Sequence, residues 1–306
     1  MTTHRDPQSN GKNGEFSRRV FGRHVGTCTA LFFGGRMLLA SEPAHAEQAQ
    51  QRYANGPFSL SAGMRGLAMS ICRDNPLTRN RIQSLFRELQ PSGAHPITIA
   101  DAGNRVPRDA SEAFAHGGDC SEIANLLVGM MNVMELGGQI GIEIFHLVGR
   151  PATEDHSVAY WQPGARNTRL YLDLQMPTTM ANYPGESRID LNGENAASAL
   201  YAREFGDYFR ENRQNADALA AYELAYTRSG SQWDYPRRWL LTLYAERFNE
   251  VMGELNPIMN DSTQRTQCRR LAEEGLGIAD RLSTLGRPIP TQMRTQFQTI
   301  LGHCSQ

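Results

Sequence analysis

The sequence predicts an α+β protein, in which a central helix packs on a small antiparallel sheet and an all-helical region follows. Three observations lead to this fold class. Residues 120–134 are apolar almost all round a helix, which is typical of a buried helix. Residues 141–174 alternate and are rich in β-branched and aromatic side chains, which favours strands. After Asn192 the apolar spacing is helical.

The composition excludes several classes of protein. The chain has 306 residues, of which 40% are hydrophobic and 21% are charged, so it can form a sizeable core. These proportions exclude collagen-like, low-complexity and wholly disordered chains. The net charge of −1 favours neither nucleic acid nor an anionic membrane as a partner. No apolar run approaches the ~18 residues of a membrane span, so we expect none.

The first 46 residues resemble a bacterial export signal. A polar stretch precedes the pair Arg18-Arg19, an apolar stretch runs from Val25 to Gly35, and Ala44-His45-Ala46 has the small-x-small pattern of a cleavage site. This order is typical of a secretory signal, and the arginine pair is similar to the twin-arginine type. We therefore predict a periplasmic or secreted protein whose mature N-terminus is Glu47. The alternative is a polar tail in which the arginine pair has no such role.

Helical patterns also precede the predicted central helix. Within residues 58–89, Asn75-Pro76 is predicted to begin a helix, because Pro is favoured at the first helical position. A short helical turn is predicted at 109–114. The apolar stripe of the longer helix comprises Ile82, Leu85, Phe86 and Leu89.

The most informative segment is Gly117-Gly118-Asp119-Cys120, at the start of the central helix. Asp119 and Glu122 have the spacing of a capping box, which places Cys120 at the first helical position. Free N–H groups and the positive end of the helix dipole favour a thiolate there, and the thiolate is the nucleophilic form of cysteine. Cys120 is therefore the candidate nucleophile, whereas Cys72 is predicted to be an inert residue of an apolar helix.

Two polar residues follow near the ends of predicted strands. His156 opens the second strand and Asp173 lies at the end of the third. A His that takes the thiol proton, and an Asp that fixes the imidazole tautomer, are the partners that a nucleophilic cysteine needs. The sequence thus predicts a triad of Cys120, His156 and Asp173, with Asp155 as the competing carboxylate. It contains no CxxC, HExxH or paired-histidine spacing, so we predict no metal and no cofactor.

These elements together resemble the core of the transglutaminase-like superfamily, whose members are papain-like cysteine acyl-transfer enzymes. The similarity covers about a fifth of the chain and rests on several elements in the same order. They are Gly118-Asp119-Cys120 with the apolar helix after it, the strand that begins at Gly141-Ile142, His156 at the start of the next strand, and Asp173 at the end of the last.

The resemblance implies an enzyme that acts on peptide or protein amide bonds, a cysteine peptidase or amidase, or a transglutaminase-like acyltransferase. Hydrolysis is the first choice. The Cys120 N–H is expected to form one half of the oxyanion hole, and the second donor is unassigned. Two alternatives stay open: a non-catalytic member of the fold that binds peptides or proteins, and a secreted effector that uses the same triad.

The predicted organisation has three parts. Residues 1–46 form the export signal and polar tail, residues 47–191 a transglutaminase-like catalytic domain, and residues 192–306 a helical domain. In the helical domain, residues 199–225 resemble one tetratricopeptide repeat, with Gly206 and other small residues between aromatic ones. We interpret this domain either as an appendage of the core or as a groove for a protein partner.

The rest of the helical domain shows no further repeat. Helices are predicted at about 235–255, 263–285 and 290–301. In an exported protein Cys268 and Cys304 can form a disulfide, although both can also stay reduced.

Overall fold

The computed structural model describes residues 43–100, 105–146, 155–164, 168–183, 186–230 and 233–304. In these ranges the chain has ten α-helices and one four-stranded antiparallel sheet, so the predicted α+β class is confirmed. The helices are α1 (Pro43–Asn55), α2 (Ala62–Asp74), α3 (Thr78–Leu89), α4 (Ala110–His116), α5 (Cys120–Val133), α6 (Gly193–Glu211), α7 (Asn215–Ser229), α8 (Asp234–Leu255), α9 (Arg265–Thr284) and α10 (Thr291–Cys304). The strands are β1 (Gln139–His146), β2 (Asp155–Gln162), β3 (Leu170–Leu172) and β4 (Glu186–Asn192).

Most of the predicted export signal lies outside the described residues. Its cleavage site, Ala44-His45-Ala46, falls in the first turn of α1. None of the described helices is both long enough and apolar enough to cross a membrane.

The sheet has the strand order β3-β2-β1-β4. β1 and β2 pair along their whole length, with Phe145 opposite His156. β3 pairs only with the last part of β2, where Leu172 lies opposite Ala159. Among the described strands, the first part of β2 therefore has a neighbour on one side only, and His156 lies at that half-open edge.

The sequence predicts two or three strands, and β4 is an additional one. It pairs antiparallel with β1, with Leu191 opposite Ile142. Ile189 and Leu191 alternate with polar residues, and Leu191 is buried. Two alternating apolar residues are too short a pattern to predict a strand from the sequence.

The inner face of the sheet packs on α5, which is buried almost all round as predicted. The shared core also takes in the stripe of α3. Its members include Ile82, Leu85, Phe86 and Leu89 of α3, Ile123, Leu127 and Met131 of α5, and Ile142, Ala159, Trp161 and Leu172 of the sheet.

The predicted start of α3, with Asn75 as the cap and Pro76 as the first helical residue, is wrong by two residues. Asn75 instead ends α2: its main-chain N–H and its side-chain amide both donate to the Ile71 carbonyl, each at 3.0 Å. Its side-chain oxygen, which would have to cap the next helix, instead accepts from the Ser84 hydroxyl at 3.3 Å. α3 therefore begins at Thr78.

The helices after residue 192 form as predicted. α6 and α7 approach closely at Gly206, where a Cβ atom would lie 2.7 Å from the ring of Tyr222, so only glycine fits. Ala197 and Leu200 of α6 belong to the same apolar cluster as α5. Farther along, a disulfide between Cys268 and Cys304 links α9 to α10.

Candidate functional site

Cys120 is held at the start of α5 by a close approach of the backbone. Gly118 pairs with the extended segment around Ile99: its N–H donates to the Thr98 carbonyl at 3.0 Å, and its carbonyl accepts from Ala100 at 2.9 Å. Gly117 has φ of 76°, and a Cβ atom there would lie 2.1 Å from the Thr98 carbonyl oxygen. The glycine pair is therefore what lets the chain reach this position.

The predicted capping box is confirmed. Oδ1 of Asp119 accepts from the N–H groups of Ser121 at 2.9 Å and Glu122 at 3.0 Å, and Oε2 of Glu122 accepts from the N–H of Asp119 at 3.0 Å. Cys120 is thus the first residue of α5. Its own N–H bonds no other residue in the described ranges, so it remains available to an oxyanion.

The structure brings His156 and Asp173 together at the edge of the sheet. His156 Nε2 lies 3.0 Å from Asp173 Oδ2. Both residues are buried, with exposed fractions of 7% and 8%. The imidazole also lies beside the Cys120 thiol, and the two side chains line the same small space. The three predicted residues therefore form a continuous chain of contacts from thiol to carboxylate, whereas Asp155 is exposed.

The charges of this site stabilise an imidazolium. Burial lowers the pKa of His156, but hydrogen bonds and charge interactions with Asp173 and Cys120 outweigh it and raise the pKa to about 9. Burial likewise raises the pKa of Asp173, but the hydrogen bond from His156 and two others outweigh it, so this pKa is lowered overall. The pair is arranged to hold a proton on the imidazole at neutral pH.

Tyr183 completes this group, and the sequence analysis missed it. Its hydroxyl donates to Asp173 Oδ2 at 2.5 Å, and its ring stacks on His156 with a centroid distance of 6.1 Å. The second oxygen, Oδ1, accepts from the Gln175 N–H at 2.9 Å. Tyr183 lies in an irregular segment without apolar periodicity, so no sequence pattern indicates its position. We call Cys120, His156, Asp173 and Tyr183 the histidine cluster.

A small space opens beside Cys120 and His156. Its volume is about 10 Å³, roughly that of one water-sized occupant. Apart from Cys120, His156, Ser157 and Asp173, the residues that line it are mostly apolar: Ile99, Ile123, Ala124, Leu172, Leu174 and Gln175. A group that enters this space would lie between the thiol and apolar walls.

A second buried polar group adjoins the same helix end. Three of its side chains are carboxylates whose oxygen atoms lie within 4.8 Å of one another. Both Glu122 oxygens accept from the Arg105 guanidinium, and Arg203 donates to Glu204 at 3.3 Å. The two arginines supply the positive charge that the cluster needs, so nothing here calls for a metal ion. We call Arg105, Asp119, Glu122, Arg203 and Glu204 the carboxylate cluster.

Comparisons of the chain with family models, with curated proteins and with solved structures gave no match. The resemblance to the transglutaminase-like superfamily therefore stays a prediction that rests on the residues described above.

Proposed function

We propose that the protein is a cysteine-dependent acyl-transfer enzyme that acts on amide bonds, first of all as a peptidase or amidase. The observation that carries the proposal is the position of His156. This buried imidazole contacts both a cysteine at a helix N-terminus and a buried carboxylate. The same proposal includes a transglutaminase-like fold for the core and the assignment of Cys120, His156 and Asp173 as its catalytic triad.

Each side chain has a role in the proposed reaction. His156 takes the proton of the Cys120 thiol, and the thiolate attacks the amide carbonyl to give a tetrahedral oxyanion near the Cys120 N–H. The C–N bond then breaks as the imidazolium gives its proton to the leaving amine, which leaves a thioester on Cys120. Water attacks the thioester, His156 accepts the proton of that water, and the acid and the thiol are released. Asp173 holds the imidazole in one tautomer throughout.

We also propose that the enzyme works outside the cytoplasm. The disulfide between Cys268 and Cys304 supports this, because structural disulfides persist in oxidising compartments. A peptide or protein is the proposed substrate, and the helical region is the proposed place for a further protein partner.

Selective alkylation tests the nucleophile directly. Under low iodoacetamide at neutral pH, peptide mapping should find Cys120 modified well before Cys72, which serves as the internal control because it is the other free cysteine of the described chain. Cys120→Ala should abolish the rapid labelling and the turnover, and it should leave the Tm nearly unchanged. Equal labelling of the two cysteines would favour the non-catalytic binding protein instead.

A further inference from the structure

An exposed apolar residue lies at the rim of the candidate active site. Ile99 is 42% exposed, although the neighbouring Ile97 is buried. Its side chain lines the same space as Cys120 and His156. An exposed isoleucine beside a half-buried nucleophile offers apolar contact to whatever approaches the thiol.

The main chain of Ile99 also makes no hydrogen bond to the rest of the described chain. In the parallel bridge to Gly118, the bonds are made by the carbonyl of Thr98 and the N–H of Ala100. The N–H and carbonyl of Ile99 therefore point away from Gly118, and neither bonds another residue in the part of the chain that the structure describes. Such a pair can accept one residue of an added strand.

The space beside the thiol limits what can be attacked. Ile123 and Ala124 of α5 and Leu172 and Leu174 of the sheet region are among the residues that line it, and its volume is only about 10 Å³. A bulky side chain on the attacked acyl group has no room in a space of this size, although Ser157 and Gln175 also line it.

We propose that Ile99 binds an extended peptide by strand addition and so presents a main-chain carbonyl to Cys120. This rests on the proposed function and specifies its substrate class. The residue whose carbonyl is attacked is small, glycine or alanine, and the residue before it exchanges two hydrogen bonds with the main chain of Ile99. A glutamine side-chain amide brings no such main chain to Ile99, so the site favours cleavage of peptide bonds over attack on side chains.

Two matched probes test the main-chain contact. The first is acetyl-Ala-Ala-Gly with an acyloxymethyl ketone, which Cys120 alkylates by displacing the carboxylate leaving group and forming a thioether. The second carries an N-methyl group on the alanine next to glycine, which removes the N–H expected to donate to the Ile99 carbonyl. We expect the methylated probe to label Cys120 roughly fivefold more slowly, the effect of one hydrogen bond. A third probe with leucine in place of glycine should be slower still.

Two variants separate the main chain of Ile99 from its side chain. Ile99→Pro removes the N–H, which bonds no other residue of the described ranges, and should slow the unmethylated probe by a similar factor. Ile99→Ala keeps both main-chain groups and should preserve the ratio between the two probes. Iodoacetamide needs no strand contact, so each probe rate is divided by the iodoacetamide rate of the same variant, which cancels any change in the thiol itself.

The outcomes distinguish the two proposals. Equal rates for the methylated and unmethylated probes on the wild-type protein would overturn strand addition at Ile99, and so would a leucine probe as fast as the glycine probe. Failure of iodoacetamide to select Cys120 would instead overturn the proposed function. If Ile99→Pro also slows iodoacetamide, the variant has disturbed the site, and the probe ratio on the wild-type protein decides.

Discussion

Two buried polar groups meet at the N-terminus of α5, and they differ in what surrounds their central side chains, Glu122 in one and His156 in the other. In the carboxylate cluster, Glu122 is 1% exposed and accepts from the Arg105 guanidinium, from the Arg108 N–H at 2.7 Å and from the Asp119 N–H at 3.0 Å. In the histidine cluster, His156 lies between Asp173, whose Oδ2 is 3.0 Å away, and the Cys120 thiol, which borders an open space.

The difference separates a structural role from a chemical one. A carboxylate with four donors cannot take up a proton or a ligand without losing bonds, so it fixes the local structure. An imidazole between a carboxylate and a thiol can take a proton from the thiol or return it without a large movement of atoms. We therefore expect changes in the carboxylate cluster to alter stability, and changes in the histidine cluster to alter turnover.

The largest effect is expected from Asp173→Asn. The amide keeps the size of the side chain but no longer stabilises an imidazolium or fixes the tautomer. Turnover should fall by about 10² to 10⁴-fold, as in other triads, while the free energy of unfolding changes little. The matched control is Asp155→Asn, next to His156 but exposed, which should be mild. Comparable losses of turnover in the two variants would contradict the role given to Asp173.

Glu122→Gln tests the structural role of the carboxylate cluster. Glutamine can still serve in the capping box, but it removes the charge that pairs with Arg105. Because Arg105 is partly exposed, we expect a loss of about 2–3 kcal/mol in the free energy of unfolding, measured by urea denaturation. The rate of Cys120 alkylation in the folded protein should change little.

A matched control for this variant lies in α8. Glu250→Gln breaks an exposed ion pair with Arg247, whose N–O distance is 3.1 Å, and should cost less than about 1 kcal/mol. A loss for Glu122→Gln no larger than that of Glu250→Gln would remove the structural role of the carboxylate cluster.

The parts of these clusters that the sequence predicts are those with local signals. Cys120 at a helix start follows from Asp119 and Glu122, which are neighbours in the chain. The ends of β2 and β3 place His156 and Asp173, because strand alternation and turn residues mark those ends. Local spacing is enough where each residue is positioned by its own element.

The parts that the sequence does not predict depend on contacts between distant segments. Arg203 of α6 reaches Ser121 at 3.2 Å, and Tyr183 reaches Asp173 from an irregular loop. No sequence pattern around Arg203 or Tyr183 predicts which residue each of them contacts. The start of α3 was mispredicted because Asn75 bonds the Ile71 carbonyl and the Ser84 hydroxyl rather than the first N–H groups of α3.

Tyr183→Phe measures the contribution of the missed residue. The ring stays on His156, but the hydrogen bond to the Asp173 carboxylate is lost, so turnover should fall roughly tenfold. Since that bond helps to lower the pKa of Asp173, the acid limb of the kcat/KM profile should move to higher pH. Tyr171→Phe is the control, because the Tyr171 hydroxyl donates to Glu143 instead. An acid limb that moves equally in both variants would refute a positioning role for Tyr183.

The smallest effect is a pH dependence of stability that belongs to the histidine cluster. The folded protein raises the pKa of His156 to about 9, whereas an unfolded histidine titrates near ~6.5. The folded state therefore binds this proton more tightly, so its stabilising contribution is fully present below about pH 6.5 and is lost as the pH rises through 9. One such proton gives a slope of at most about 1.4 kcal/mol per pH unit.

Urea denaturation at pH 6.5, 7.5 and 8.5 measures this slope. The free energy of unfolding should fall more steeply with pH for the wild type than for His156→Gln, with an intermediate slope for Cys120→Ala. Parallel curves for the wild type and His156→Gln would mean that the cluster holds no extra proton, and the comparison between the two clusters would then rest on geometry alone.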